Sequence, residues 1–150
     1  PQEVPAFSST IEKGKGVFAF KHKKSKILLV CIGSIYQEVR DAAQNLREEE
    51  VYADIYNLRF IKPFDEKYFF NIVQKYPYIF VFEDASKLGG IAEYIEYILL
   101  KNSSIQTKKK KIHIMAFPDL FLDQGTREEI LEEASLSSAK IASFIADNLT

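Results

Sequence analysis

"ILLVCIGSIYQEVRDAAQNLREEEVYADIYN", residues 27–57, contains a strand, a helix and a second strand in one unbroken run. Ile27 to Ile32 is continuously apolar, the composition of a strand covered on both faces. After Gly33-Ser34, the residues Val39, Ala42, Ala43 and Leu46 recur at i, i+3, i+4 and i+7, one stripe of an amphipathic helix. Residues 51–57 return to strand composition. The same alternation continues downstream. "KYFFNIVQKY" (67–76) carries Phe69, Ile72 and Val73 at helical spacing, and "YIFVFE" (78–83) is a third core strand. Gly89-Gly90 opens a helix with Ile91, Ile95, Ile98 and Leu99 on one face, and "KIHIMAF" (111–117) is a fourth strand. Repeated alternation of this kind predicts an α/β fold, a mostly parallel sheet with helices on both faces.

Upstream, "VFAF" (17–20) and the strand at 27–32 are separated by the polar stretch "KHKKSK", which predicts a hairpin with its first strand at a sheet edge. Pro1 to Ser9 holds two prolines and two serines without periodicity and reads as linker. In the tail, Thr126 followed by Glu129 is a capping-box signature before Ile130 and Leu131. A polar break at 135–138 precedes a last stripe of Ile141, Phe144, Ile145 and Leu149.

Composition narrows the function. A chain of 150 residues suits one domain with a full core, and a net charge of -1 offers no global field for nucleic acid or an anionic membrane. One cysteine excludes an internal disulfide, which fits a cytoplasmic protein. No apolar run approaches the ~20 residues that span a bilayer. The sequence lacks a starting methionine and any secretory or transit pattern, so it reads as a piece of a longer chain.

Catalytic signatures do not assemble. After the strand at 27–32, "GSIYQE" has one glycine where a dinucleotide fingerprint needs three, and no Walker-type phosphate loop exists. Cys31 sits inside an apolar strand, as a small buried hydrophobe would. Ser34 lacks the second glycine of a nucleophile elbow. His22, in a basic turn, and His113, within a strand, have no partners at metal-ligand spacing. The runs at 21–26 and 108–111 read as solvated lysines at strand entries, without the interleaved aromatics that stack bases. Tyr52, Tyr56, Tyr94 and Tyr97 read as amphipathic cover for the core. Glu83-Asp84, at the end of the third strand and before "ASKLGG", are the best-placed carboxylates. Neighbours on a strand point oppositely, so they form no convergent acid–base pair. The glycine turn predicts positive φ at Gly89 or Gly90.

Arg59-Phe-Ile-Lys-Pro-Phe-Asp65, the Glu83-Asp84…Gly89-Gly90 segment and "FPDLFLDQGTREEIL" (117–131) occur in an order and spacing that resemble the C-terminal domain of transketolase-like enzymes. Pro118-Asp119 and Gln124-Gly125, with the capped helix after them, are similar to the 1-deoxy-D-xylulose-5-phosphate synthase branch. "IEKGKG" (11–16) is similar to the junction with that branch's central, pyrimidine-binding domain. The resemblance implies residues 1–14 as linker and 15–150 as a three-layer sandwich around a mixed, mostly parallel five-stranded sheet with one antiparallel strand. It also implies a whole enzyme that uses thiamine diphosphate and Mg to join decarboxylated pyruvate to glyceraldehyde 3-phosphate, for isoprenoid and thiamine synthesis. In such an enzyme this domain supplies no catalytic, cofactor-binding or metal-binding residue. Its partners are the N-terminal and central domains of the same chain and a second subunit of a homodimer. One departure stands out: family members commonly continue the turn as G-G-x-G-S, where this chain has Gly89-Gly90-Ile91-Ala92-Glu93, and Ala85 follows the two acids. The C-terminal domain of a transketolase or of a 2-oxo acid dehydrogenase E1 β-subunit therefore stays open, as does a free-standing flavodoxin-like ligand-binding module.

"RFIKPFDE" (59–66) reads as a joint, with φ fixed by Pro63 and Asp65 placed to cap the next helix. Arg59, Lys62, Asp65, Glu83, Asp84, Gly89 and Gly90 form the expected domain or subunit interface.

Overall fold

The computed structural model describes residues 10–102 and 110–149, so the expected linker at 1–9 and the lysines at 108 and 109 lie outside it. The described strands form one sheet: β1 (Val17–Phe20), β2 (Ile27–Ile32), β3 (Ala53–Asn57), β4 (Tyr78–Ser86) and β5 (Lys111–Phe117). Their order is β1-β3-β2-β4-β5, with every pair parallel except β1 against β3. The helices are α1 (Tyr36–Glu48), α2 (Glu66–Val73), α3 (Ile91–Lys101), α4 (Arg127–Glu133) and α5 (Ser138–Asp147). This is the expected mixed five-stranded α/β sandwich.

β2 lies at the centre, and all six of its residues are buried. Alternate residues along it feed two separate cores. Leu29 and Cys31, with Phe80 and Phe82 of β4, pack against Val39, Ala42 and Leu46 of α1 and against Leu131, Ile141 and Ile145 of α4 and α5. Leu28 and Val30, with Ile79 and Val81, pack against Phe69, Ile72 and Val73 of α2 and against Ile95 and Leu99 of α3. A strand with a core on each face must be apolar throughout. Its neighbours are therefore other parallel strands, reached through helical crossovers.

That position overturns the expected hairpin. β1 is an edge strand, but it pairs with β3, Val17 opposite Asn57 and Phe18 opposite Tyr56. The link at 21–26 crosses the amino end of β3 before β2 begins. It is held there by His22, whose N–H donates to the Asp54 carboxylate at 2.8 Å and whose ring stacks on Tyr52 at 3.9 Å. Asp54 is buried and also accepts from the Tyr76 hydroxyl. A link of six residues without a turn glycine does not impose a tight hairpin.

Two smaller expectations also change. Lys110 is not simply solvated: its ammonium donates to the carbonyls of Val73, Gln74 and Tyr76, closing the carboxyl end of α2. The four tyrosines divide, with Tyr56 buried in the core while Tyr94 and Tyr97 stay exposed on α3. Cys31 is fully buried, its thiol donating to the Tyr56 carbonyl at 3.6 Å. Burial pushes that thiol up to about 12, so it is inert packing.

The tail helix starts as expected. Thr126 Oγ1 accepts from the Glu129 N–H at 3.3 Å, and the Glu129 carboxylate accepts from the Thr126 N–H at 2.8 Å. Thr126→Ala should lower stability by about 1 kcal/mol. An unchanged urea midpoint in that variant would show that the cap contributes nothing.

His113 stacks on Phe80 at 5.0 Å and meets the edge of Phe144 at 5.8 Å. Its Nε2 is buried and finds no hydrogen-bond partner among the described residues. Burial first, and Lys111 second, hold the imidazole below its ordinary value, so the folded protein keeps it neutral. The unfolded chain then binds a proton more readily than the folded one. Stability from this site is complete above the ordinary histidine value of about 6.5 and falls as pH drops toward the lower folded value. Melting temperatures between about pH 7.5 and pH 5 should fall less in His113→Phe than in the parent. Parallel curves would refute this.

Candidate functional site

The carboxyl ends of β2, β3 and β4 enclose an open cleft of about 380 Å³. This is the switch point of the sheet, because the chain leaves β2 for β3 on one side and later crosses to β4 on the other. Doubly wound folds commonly bind their ligands there, using free amides at helix starts. At both helix starts nearest the cleft, a strand-end carboxylate already holds backbone amides.

At the first, Gly33 has φ +80° and turns the chain from β2 through a 3-10 turn, Gly33–Ile35, into α1. The Ser34 N–H donates to Asp84 Oδ2 at 2.6 Å. The Asp84 carboxylate lies so close that a Cβ on Gly33 would sit 2.0 Å from its Oδ1. At the second, Glu83 Oε2 accepts from the Ala92 N–H at 2.9 Å and Oε1 from the Ile91 N–H at 3.2 Å. Glu83 is only 4% exposed. A carboxylate at the start of a helix meets both free N–H groups and the positive end of the helix dipole. Asp84 faces α1 and Glu83 faces α3, on opposite sides of the sheet, as strand alternation requires.

The two glycines of the turn serve different needs. Gly89 has φ +75° with open space around its missing Cβ, so it supplies conformation. Gly90 has an ordinary φ of -75°, but a Cβ there would meet Glu83 Oε2 at 2.5 Å. It supplies room. The departure at Ile91-Ala92 is accommodated because Glu83 needs only the backbone of those residues, and Ala92 is fully buried under the helix. Sequence reasoning missed Glu83 as the cap of α3. The available signal was negative: Gly90 has no side chain to cap with, so the cap had to come from elsewhere.

The loop 58–65 forms the other wall. Arg59 has φ +58°, and its N–H donates to Asn57 Oδ1 at 3.1 Å. Asp65 caps α2 by accepting from the Tyr68 N–H at 3.0 Å, while its own N–H donates to the Gly14 carbonyl at 3.0 Å. The segment 11–16 thus lies against this loop, with Gly14 buried over Pro63 and Asp65. Arg59 borders the cleft and Lys62 is exposed beside it. Around them Ile61, Leu88, Leu120 and Phe121 are exposed on the loops leaving β3, β4 and β5. The seven expected interface residues therefore gather at one end of the sheet. Among the described residues, no three histidine, cysteine or carboxylate side chains converge as metal ligands. No described helix is long and apolar enough to cross a membrane.

Comparison with known proteins agrees with this architecture. The family model "Transketolase, C-terminal domain" matches residues 16–141. A 1-deoxy-D-xylulose-5-phosphate synthase of Treponema pallidum (strain Nichols) is 37% identical over 142 residues, covering 95% of this chain and 22% of that protein. The synthase of Alkaliphilus oremlandii is 30% identical over 137 residues, covering 91% of this chain and 21% of that protein. The chain thus spans about a fifth of the length of these curated relatives. A solved structure described as a split gene transketolase, inactive beta4 tetramer, superimposes with a TM-score of 0.80 at 19% identity, covering 99% of this chain and 46% of that one.

Proposed function

The chain belongs to the transketolase C-terminal domain family, and from this we propose that it is the non-catalytic third domain of a thiamine-diphosphate-dependent transferase of the 1-deoxy-D-xylulose-5-phosphate synthase type. Residues 1–14 are its linker from the pyrimidine-binding domain, and 15–150 are the domain itself. The whole enzyme is cytoplasmic and homodimeric, and joins decarboxylated pyruvate to glyceraldehyde 3-phosphate for isoprenoid and thiamine synthesis. Support for this activity is the likeness to the two synthases.

One observation carries the non-catalytic reading: Glu83 and Asp84 occupy the amides that a phosphate group would need at the switch point. The described residues do not fit thiamine diphosphate with Mg, since carboxylates already hold the Ser34, Ile91 and Ala92 N–H groups at these helix starts and no described side chains converge as metal ligands. What the cleft end offers instead is an apolar rim with two cations, a surface suited to protein. Arg59 and Lys62 touch the neighbouring domain there. Asp65, Glu83, Asp84, Gly89 and Gly90 hold the loops in shape beneath it.

Two packed cores, one on each face of the sheet, let the domain fold alone. Calorimetric titration of this chain with thiamine diphosphate and Mg should therefore show no binding, and pyruvate with glyceraldehyde 3-phosphate should give no product. Micromolar cofactor binding would overturn the reading.

A further inference from the structure

The two lysine runs lie far apart in the sequence, but the sheet brings their described residues to one end, at the start of β2, β4 and β5. Ile27, Tyr78 and Lys111 stand opposite one another across those three strands. The segments before them are tied backbone to backbone. The Tyr78 N–H donates to the Lys26 carbonyl at 3.4 Å, and the Lys111 N–H to the Pro77 carbonyl at 2.9 Å. The turn at 21–26 is fixed as well: the Ser25 N–H donates to the His22 carbonyl at 3.0 Å, and the Lys24 N–H to His22 Nδ1 at 3.3 Å.

Lysines at strand entries ordinarily keep an edge strand from pairing. That accounts for Lys111 on β5. It does not account for Lys24 and Lys26, because β2 is central and already paired on both sides. Their ammonium groups, and that of Lys23, make no ion pair among the described residues. Lys24 and Lys26 line an open cleft of about 410 Å³ over Tyr52 and Tyr78, and Glu50 is the one acid among its described lining residues. We propose that this end of the sheet binds an extended acidic segment of another protein, its carboxylates meeting Lys24 and Lys26 on one side and Lys111 on the other.

Strand geometry sets the spacing. Neighbouring strands lie ~4.8 Å apart, so β2 and β5 are about 10 Å apart, which an extended peptide crosses in about three residues. Acids three positions apart therefore match the lysines. Nucleic acid fits less well, since stacking needs an open aromatic face. His22 covers Tyr52 at 3.9 Å, the Lys111 ammonium lies 5.8 Å from the Tyr78 ring centre, and the Tyr78 hydroxyl donates to the Leu149 carbonyl at 2.9 Å. A membrane surface also fits less well. None of the exposed large apolar side chains belongs to these loops, so nothing there would insert among lipids. Because the turns are already tied, binding a peptide orders little more than the lysine side chains. The surface lies at the opposite end of the sheet from the Arg59 rim, so it is independent of the reading above.

A labelled peptide of about twelve residues, with glutamate at every third position, is the probe. Fluorescence anisotropy should show it binding the chain in low salt, and weakening about tenfold between ~20 and ~200 mM salt. Lys24→Glu combined with Lys26→Glu should weaken binding about tenfold or more, with an unchanged circular dichroism spectrum. Lys13→Glu combined with Lys67→Glu makes the same change of charge on exposed lysines at the other end of the sheet, and should leave binding within about twofold of the parent. A parent that does not bind the peptide in low salt would overturn the proposal. So would a Lys13, Lys67 pair that weakens binding as much as the Lys24, Lys26 pair. Tighter binding to an oligothymidine of similar length, or to phosphatidylserine vesicles, would overturn the assignment to a protein partner.

Discussion

Replacing Glu83 with alanine should lower the stability of the domain by about 3 kcal/mol. The side chain is buried, and its two oxygens accept from the Ile91 and Ala92 N–H groups that begin α3. Removing it takes away two charge-assisted hydrogen bonds and leaves buried donors without partners, the costly direction of such a change. Glu83→Gln keeps an acceptor oxygen and the shape but loses the charge that complements the helix start, so it should cost less, about 1–2 kcal/mol. Urea denaturation of the three proteins should rank parent above glutamine above alanine. A further readout is specific to this account. With the carboxylate gone, the freed N–H groups can donate to an external anion, so added sulfate should stabilise Glu83→Ala more than the parent. An alanine variant within about 0.5 kcal/mol of the parent would mean that water replaces the cap at no cost.

Local patterns in the chain made the elements legible. Val39, Ala42 and Leu46 are buried under α1 as their spacing requires, and Asp65 and Thr126 cap the helices that follow them. Each of those readings depends on residues within two turns of one another. The contacts that set the strand order and close the candidate site do not. Asp84 reaches Ser34 across 50 residues, and Asp54 binds His22 and Tyr76 across 32 and 22. Such contacts depend on which strands become neighbours, which no periodicity records. The hairpin expectation failed for the same reason: the apolar pattern of Val17–Phe20 suits an edge beside β3 as well as one beside β2. Glu83 and Asp84 were visible as a pair of acids at a strand end, but what each one faces became plain only with α1 and α3 in place.

Gly33→Val should cost about 3–4 kcal/mol. Two separate terms contribute. The backbone at φ +80° is one that a β-branched residue resists, at about 1–2 kcal/mol. The new Cβ would also sit 2.0 Å from Asp84 Oδ1, so the carboxylate must leave and the Ser34 N–H loses its acceptor. Gly89 separates the terms, because it shares the positive φ but has nothing within 4 Å of its missing Cβ. Gly89→Val should therefore show only the conformational cost, ~1 kcal/mol or somewhat more. A double-mutant cycle isolates the other half. Gly33→Ala in an Asp84→Ala background meets no carboxylate, and should cost about 1 kcal/mol less than the same change in the parent. If the two substitutions are simply additive, Asp84 does not fill the space beside Gly33, and the switch point is not closed in the way that its hydrogen bonds indicate.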